Sequence, residues 1–307
     1  MGTNLTRSFF SVSDSQPNSL SMPENPAVSL LAEGKLDEAL DAAKADLNAW
    51  RQKVEDDESL WPQTFAALQV LGDVQREMSD ASGAEASYNE ALDIAGKHPI
   101  SQILTARMRT QLATLLDFSQ REALAAPLYE QAITDYESLT PPDDLSAAQI
   151  RNNLAMIYKG LGKYALAEQH YLRSLEVLEI NMGRDSEEMA SVYNNLGSLY
   201  YTAGFPDQAK EMFAEGLSIR LKILDLDHPD VAQSLCNIAT AKHELGENTD
   251  ARLDFEQSLR ILELHIKDEA NSYEAVGRDY ISLLENLGDE RKAAAFKKRM
   301  EKVLASL

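Results

Sequence analysis

Read from its periodicity, this chain is an all-α protein built as a solenoid of about seven antiparallel helix pairs. Three observations carry that reading. Glycines recur at a 42-residue step. Apolar residues between them recur at three- and four-residue steps, the spacing of one helical face. Small and aromatic residues keep the same 42-residue register, as repeat architectures do.

Residues 1–25 stand outside the pattern. The stretch from Ser11 to Ser19 is polar and follows neither a helical nor a strand period, so a disordered lead-in is expected. It lacks the apolar middle segment of a secretory signal. Gly2 with Thr6 fits the N-myristoylation pattern, which is short enough to recur by chance. Arg7-Ser8-Phe9-Phe10 has a trace of an organelle transit segment, against which Asp14 and the single Arg count.

The repeats follow over 26–307. Gly162, Gly204, Gly246 and Gly288 keep the step, as do Ala167, Ala209, Ala251 and Ala293. Leu154, Leu196 and Ile238 form a third column, and Tyr171, Phe213 and Phe255 a fourth. Leu175, Leu217 and Leu259 add a fifth, and Asp143, Asp185 and Asp227 a sixth. Upstream, Leu112, Ala125, Tyr129 and Ile133 sit one period earlier, and Leu71, Ala84, Tyr88 and Leu92 sit 41 residues before those. Gly34 and Ala39 mark a degenerate first unit. No Pro- or Gly-rich linker interrupts the series, so one elongated domain is expected.

Each unit reads as two helices. Leu154, Ala155, Tyr158 and Leu161 recur at helical spacing, and Gly162 then ends the helix by taking left-handed backbone angles cheaply. In the second helix Ala167 allows close approach and Tyr171 fills the gap beside it. Between units, Asp227-His228-Pro229-Asp230 offers an N-cap and a first-turn proline. At the far end Lys297 and Glu301 replace the aromatic and leucine columns, as in a solvent-facing capping helix.

Leu, Tyr, Gly, Ala and aromatic residues in this order resemble the tetratricopeptide repeat (TPR) signature. The 42-residue period, Asn-Asn-Leu-Ala at 152–155, Asn-Asn-Leu-Gly at 194–197 and Asp-His-Pro-Asp-Val-Ala at 227–232 resemble its kinesin-light-chain type. The likeness is specific over 143–288 and weaker over 26–142. It implies a right-handed superhelix that binds peptides or protein segments in a concave groove lined by the first helices. The heptad-rich segment of kinesin light chains is not found here, so motor assembly is not implied.

At about 100° per residue, Gln149, Asn152, Asn153, Met156 and Gly160 share one side of their helix. Arg151, Leu154, Ala155 and Tyr158 share the other, expected to enter the stack. The next periods bring Ser191, Asn194, Asn195, Ser198 and Thr202, then Gln233, Cys236, Asn237, Thr240 and Glu244, to the first side. The expected peptide-binding groove is therefore Asn153, Asn195, Asn237, Asn152, Asn194, Gln149, Ser198 and Thr240. An Asn amide offers a donor and an acceptor to a peptide bond. The alternative role for these amides is hydrogen bonding to neighbouring helices or water. The two-carboxylate clamp of the family, which uses Lys and Arg, is not reproduced; only Arg107 and Arg278 are expected as basic residues on this face.

Lys plus Arg number 29 against 50 Asp plus Glu, a net charge of -21, which repels a phosphate backbone and argues against nucleic-acid binding. One cysteine, Cys236, makes no internal disulfide and no Cys-rich metal site. No apolar run is long enough to span a bilayer. The five histidines form no His-Glu-x-x-His motif; His243 borders the expected groove, and His228-Pro229-Asp230 is an inter-repeat loop. No phosphate-cradling glycine loop and no recurring carboxylate pair is present. The expectation is a noncatalytic cytoplasmic scaffold for a protein or peptide partner, with no cofactor or metal. The alternative is a peptide-sensing regulator whose superhelix changes pitch on binding. Asp289–Leu307 inverts the charge, with six basic residues against three acidic ones; it reads as a solvated helix end or as a docking helix for an acidic partner.

Overall fold

A computed structural model describes residues 25–307. The expectations for the first 24 residues, including lipidation and transit processing, lie outside them. The described residues fall into two compact units, 25–157 and 158–307, and the division lies inside a helix rather than at a linker.

Among the described residues there are fourteen α-helices and one short 3-10 turn, with no strand. They pair in chain order. α1 (Pro26–Ala32) and α2 (Leu36–Asp56) form the first pair, α3 (Trp61–Glu77) and α4 (Ala81–Lys97) the second, α5 (Gln102–Phe118) and α6 (Glu122–Glu137) the third. α7 (Asp144–Gly160) and α8 (Tyr164–Met182) bracket Gly162. α9 (Glu187–Thr202) with α10 (Pro206–Ile223), α11 (Pro229–Glu244) with α12 (Asn248–Leu264), and α13 (Ile266–Asn286) with α14 (Glu290–Leu304) complete seven pairs. The all-α repeat-solenoid class expected from the periodicity is the one observed.

The periodic columns are the core. Ala84, Ala125, Ala167, Ala209 and Ala251 are fully buried, and Tyr88, Tyr129, Tyr171, Phe213 and Phe255 are at most 2% exposed. Burial of each large ring contributes roughly 1.5–3 kcal/mol. Where a ring comes closest, the facing first helix carries glycine. A Cβ on Gly197 would lie 2.6 Å from Phe213 Cδ1, and one on Gly72 would lie 2.3 Å from Tyr88 Cε1. In the first pair Ala43 stands in the aromatic column, consistent with a degenerate unit.

The aspartate column performs three different jobs. Asp143 Oδ1 accepts from the Ser146 N–H at 3.1 Å at the start of α7. One period on, Ser186 accepts from the Met189 N–H, and Asp185 pairs with Lys222 at 2.6 Å instead. One period further, His228 Nδ1 accepts from the Asp230 N–H at 3.2 Å, with Pro229 at the first helical position. The cap thus moves one residue along, while the Asp227 carbonyl accepts from His265.

One junction in 158–307 is ionic. Arg220 on α10 is 4% exposed, and its guanidinium donates to Glu187 at the start of α9, and to the Asp230 carbonyl and Ser234 Oγ on α11. The same register position holds Leu178 in α8 and Tyr136 in α6, both buried. α14 packs one residue out of register. Lys297 and Glu301 face solvent, and Phe296 and Met300 turn inward. A Cβ on Gly277 of α13 would meet Met300 Sδ at 2.4 Å, so glycine makes room for this seating.

Candidate functional site

The helical wheel divides each first helix into two faces, but packing covers both. Of the eight expected groove residues, Thr240 alone is partly exposed. Asn152 and Asn153 are at most 1% exposed, Asn194, Asn195, Asn237 and Ser198 at most 5%, and Gln149 9%. Met156, placed on the same side, is also buried. Arg151, expected to enter the stack, instead reaches outward to an ion pair with Glu137. The physical reason lies in the packing. α9, for example, packs against α8, α10 and α11, so only a narrow strip stays open.

In 158–307 the amides on this strip bond to one another. Asn237 Nδ2 donates to Asn194 Oδ1 at 2.5 Å, bridging α11 and α9. Asn237 Oδ1 accepts from Gln233 Nε2 at 3.0 Å. Lys159 Nζ donates to Ser198 Oγ at 2.8 Å, so a lysine that the sequence reading did not count also reaches this face. The Thr240 hydroxyl donates to the Cys236 carbonyl at 2.9 Å, which leaves its lone pairs for a ligand. In 25–157, Asn152 Nδ2 lies 3.3 Å from Asn153 Oδ1, and Asn153 also bonds with the Tyr129 hydroxyl. Helix-to-helix bonding, the alternative role expected for these amides, is the one visible in the structure.

The open part of the strip is lined by residues flanking the expected ones. Gln233 and Thr240 are partly exposed, and so is Tyr201, whose hydroxyl donates to Glu244 Oε1 at 3.1 Å. Burial and the Glu244 carboxylate push the Tyr201 phenol up, so it stays a neutral donor. His243 is engaged at both nitrogens, 2.8 Å from Asn248 Oδ1 and 3.3 Å from Asn286 Nδ2. Burial pushes the Cys236 thiol up to about 12, with Asp279 adding to the effect. That environment makes a poor nucleophile. Arg278 is exposed and pairs with Glu274.

Asp279 is the residue that the sequence reading missed. It sits one 42-residue step beyond Asn237, in the column of Asn153 and Asn195. Burial raises its carboxyl above the ordinary range. Extending the asparagine column by one more period would have found it. Among the described residues no cluster of His, Cys, Asp and Glu is arranged to hold a metal, and no helix is long and apolar enough to cross a membrane. What these helices present is a polar, amide-rich strip of which Gln233, Thr240 and Tyr201 are partly exposed.

Comparison with known proteins agrees with this architecture. A tetratricopeptide repeat family model matches residues 146–222 and 188–263. BtubC (BKLC) from P. vanneervenii is 30% identical, with 74% of this chain and 90% of that one covered at a TM-score of 0.62. A putative kinesin light chain with nearly identical TPR-like repeats from Podosopora anserina is 18% identical, covering 65% and 95% of the two chains at a TM-score of 0.57. A tetratricopeptide repeat protein from Parabacteroides merdae is 18% identical, covering 91% and 96% at 0.54. The last two show likeness of fold alone. No curated protein matches the sequence. Repeat period, paired helices and these likenesses together place the chain in the tetratricopeptide repeat family, in its kinesin-light-chain-like type.

Proposed function

We propose that this protein is a noncatalytic cytoplasmic scaffold that holds an extended peptide or protein segment along the amide-rich strip of its first helices. Membership of the tetratricopeptide repeat family supports a protein-interaction scaffold in general. The observation that carries the finer reading is the chain of amides from Gln233 through Asn237 to Asn194, ending at partly exposed Gln233 beside Thr240.

An arriving peptide exchanges amide–amide bonds for amide–peptide bonds. Each exchange contributes little, about 0.5–1.5 kcal/mol at most. Selectivity must then come from side chains that the strip accepts near Tyr201, Glu244 and Asp279. A partner with basic residues suits these two carboxylates. Asn153 and Gln149 offer the same chemistry in residues 25–157. The alternative of a peptide-sensing regulator calls for a separate output segment or a distinct N-terminal bundle. α1 through α4 form helix pairs of the same type as the rest, which supports the scaffold reading.

The test uses the exposed rim, because replacing buried asparagines also disturbs packing. The full chain and a Gln233→Arg/Thr240→Arg variant are used as bait for polypeptides from a host extract, with circular dichroism confirming equal helicity. Loss of bound polypeptides from the variant is expected. An identical bound set would end the strip assignment.

A further inference from the structure

The first and last pairs each end on a helix whose outer side carries charge of one sign, and the two signs are opposite. α14 packs on α13 and seats Ala293, Phe296, Met300, Val303 and Leu304 in the core. At about 100° per residue, its other side presents Arg291, Ala294, Ala295, Lys298, Lys302 and Ala305, all exposed. Two cations on its flanks are spent within the chain: Lys292 pairs with Asp289 at 2.8 Å and Arg299 with Glu263 at 2.6 Å. Arg291, Lys298 and Lys302 make no ion pair among the described residues.

α2 has the reverse arrangement. It buries Ala39, Ala43, Leu47 and Val54. Its other side presents Glu38, Asp41, Ala45, Ala49, Gln52 and Asp56, all exposed. Here too flanking charges are engaged within the chain. Arg51 pairs with Glu90, and the Lys53 ammonium lies over the Trp50 ring, 4.1 Å from its centroid. Glu38, Asp41 and Asp56 make no ion pair among the described residues. Each face has one contrary charge at its edge, Lys44 on α2 and Glu301 on α14.

We propose that the outer face of α14 docks, antiparallel, on the outer face of α2 in a second copy of this chain. Lys302 then meets Glu38 and Lys298 meets Asp41, because each pair of like charges is spaced by one helical turn. About two turns along, Ala295 stands opposite Ala45, and small side chains there let the helix axes come close. Arg291 lies opposite Ala49, beside the Gln52 amide. The two faces are unlike, so the contact is heterologous and each copy offers both halves of it. A second copy is the occupant because it carries the matching row in sign, in turn spacing and in the small residues between the charges. A lipid surface is not, since this face of α14 has no large apolar side chain to enter it. The net charge of -21 opposes association at long range, whereas the contact acts within one screening length, about 8 Å at physiological salt. Only two short helix faces meet, which puts the association in the weak, transient class. It uses none of the first-helix amides, so it stands or falls apart from the strip.

Sedimentation velocity of the full chain over a rising concentration series tests it. The parent is expected to self-associate. Lys298→Glu/Lys302→Glu and Glu38→Lys/Asp41→Lys should each weaken that association about tenfold, since two facing ion pairs become like-charge contacts. Mixed in equal amounts, the two variants should associate to within about threefold of the parent, because each supplies the face that the other needs. Glu38→Lys/Asp41→Lys also brings the chain nearer neutrality. General charge repulsion would therefore tighten association of that variant, whereas the proposed contact weakens it. All four side chains are exposed, and circular dichroism confirms equal helicity. A Gln233→Arg/Thr240→Arg variant should associate as the parent does. A parent that stays monomeric throughout, a reversal that leaves association unchanged, or a mixture that fails to associate overturns the proposal.

Discussion

The turn inside each helix pair is made differently in the two units. In 158–307 every such turn places glycine at positive φ: Gly162 at 71°, Gly204 at 86°, Gly246 at 77° and Gly288 at 73°. In 25–157 Gly34 does the same at 73°, but Ser79 at 63° and Gln120 at 58° occupy that register in the next two pairs. The closing hydrogen bond is nonetheless shared. The Asp80 N–H reaches the Gln75 carbonyl at 2.8 Å and the Arg121 N–H reaches Leu116 at 2.9 Å, just as Phe205 reaches Tyr200 at 2.9 Å. Helix packing thus imposes the left-handed residue, and glycine only lowers its cost. A side chain there costs about 1–2 kcal/mol.

A second contrast concerns how the stacks are tied. In 25–157 the buried rings are tyrosines whose hydroxyls reach back to the first helix: Tyr88 to Asp73 at 2.6 Å, and Tyr129 to within 2.9 Å of Thr114. In 158–307 Tyr171 keeps the tyrosine, phenylalanines take over the column at 213 and 255, and a buried arginine ties successive pairs. Polar ties are thus present in both units but at different layers.

Breaking the arginine tie should have the largest effect. Arg220→Ala is expected to destabilise 158–307 by about 2–3 kcal/mol, because the buried guanidinium's hydrogen bonds to Ser234 and the Asp230 carbonyl are lost together with the packing of its stem. Hydrogen exchange should show the loss around α9–α11 first; a change confined to α3–α6 would contradict this account. The turns come next. No atom lies within 4 Å of a Cβ built on Gly204, so Gly204→Val should cost about 2 kcal/mol through backbone strain alone. An unchanged melting temperature would refute the helix-end role. In the other unit, Ser79→Gly and Gln120→Gly should each stabilise by about 1 kcal/mol in urea unfolding. No gain at either position would mean that the left-handed turn carries no strain there.

The smallest effect concerns Asp279. Its carboxyl titrates higher in the folded chain than in the unfolded one, because burial disfavours its charge. Between the ordinary carboxylate pKa and the raised folded one, the native state holds more protons. Stability from this group therefore falls as pH rises through that window and stays lower above it. Asp279→Asn should remove this slope and raise the melting temperature at neutral pH, while leaving it nearly unchanged at acidic pH. A lower melting temperature at neutral pH would show that the carboxylate is stabilised by contacts rather than penalised by burial.

Much of the molecule is legible in the residues themselves. The alanine and aromatic columns, the glycine turns and the degenerate first unit all appear as a period. Each rests on local rules: three- and four-residue spacing, a small residue for close approach, a left-handed angle after the last turn. The candidate strip was less legible. Asn153, Asn195 and Asn237 were found as a column, but their burial was not, and Asp279 was passed over because it breaks the residue type. The seating of α14 through Phe296 and Met300 was also hidden, since it departs from the period that revealed everything else.

The order and pairing of the helices follow from patterns repeated every 42 residues, because secondary structure and hairpin closure depend on near neighbours in the chain. Which polar side chains remain open to a partner does not follow from them. Asn237 is closed off by Asn194, 43 residues away, and Arg220 by Glu187, 33 residues away. Exposure is a property of packed helices acting together, so the strip emerges only when the pairs are stacked.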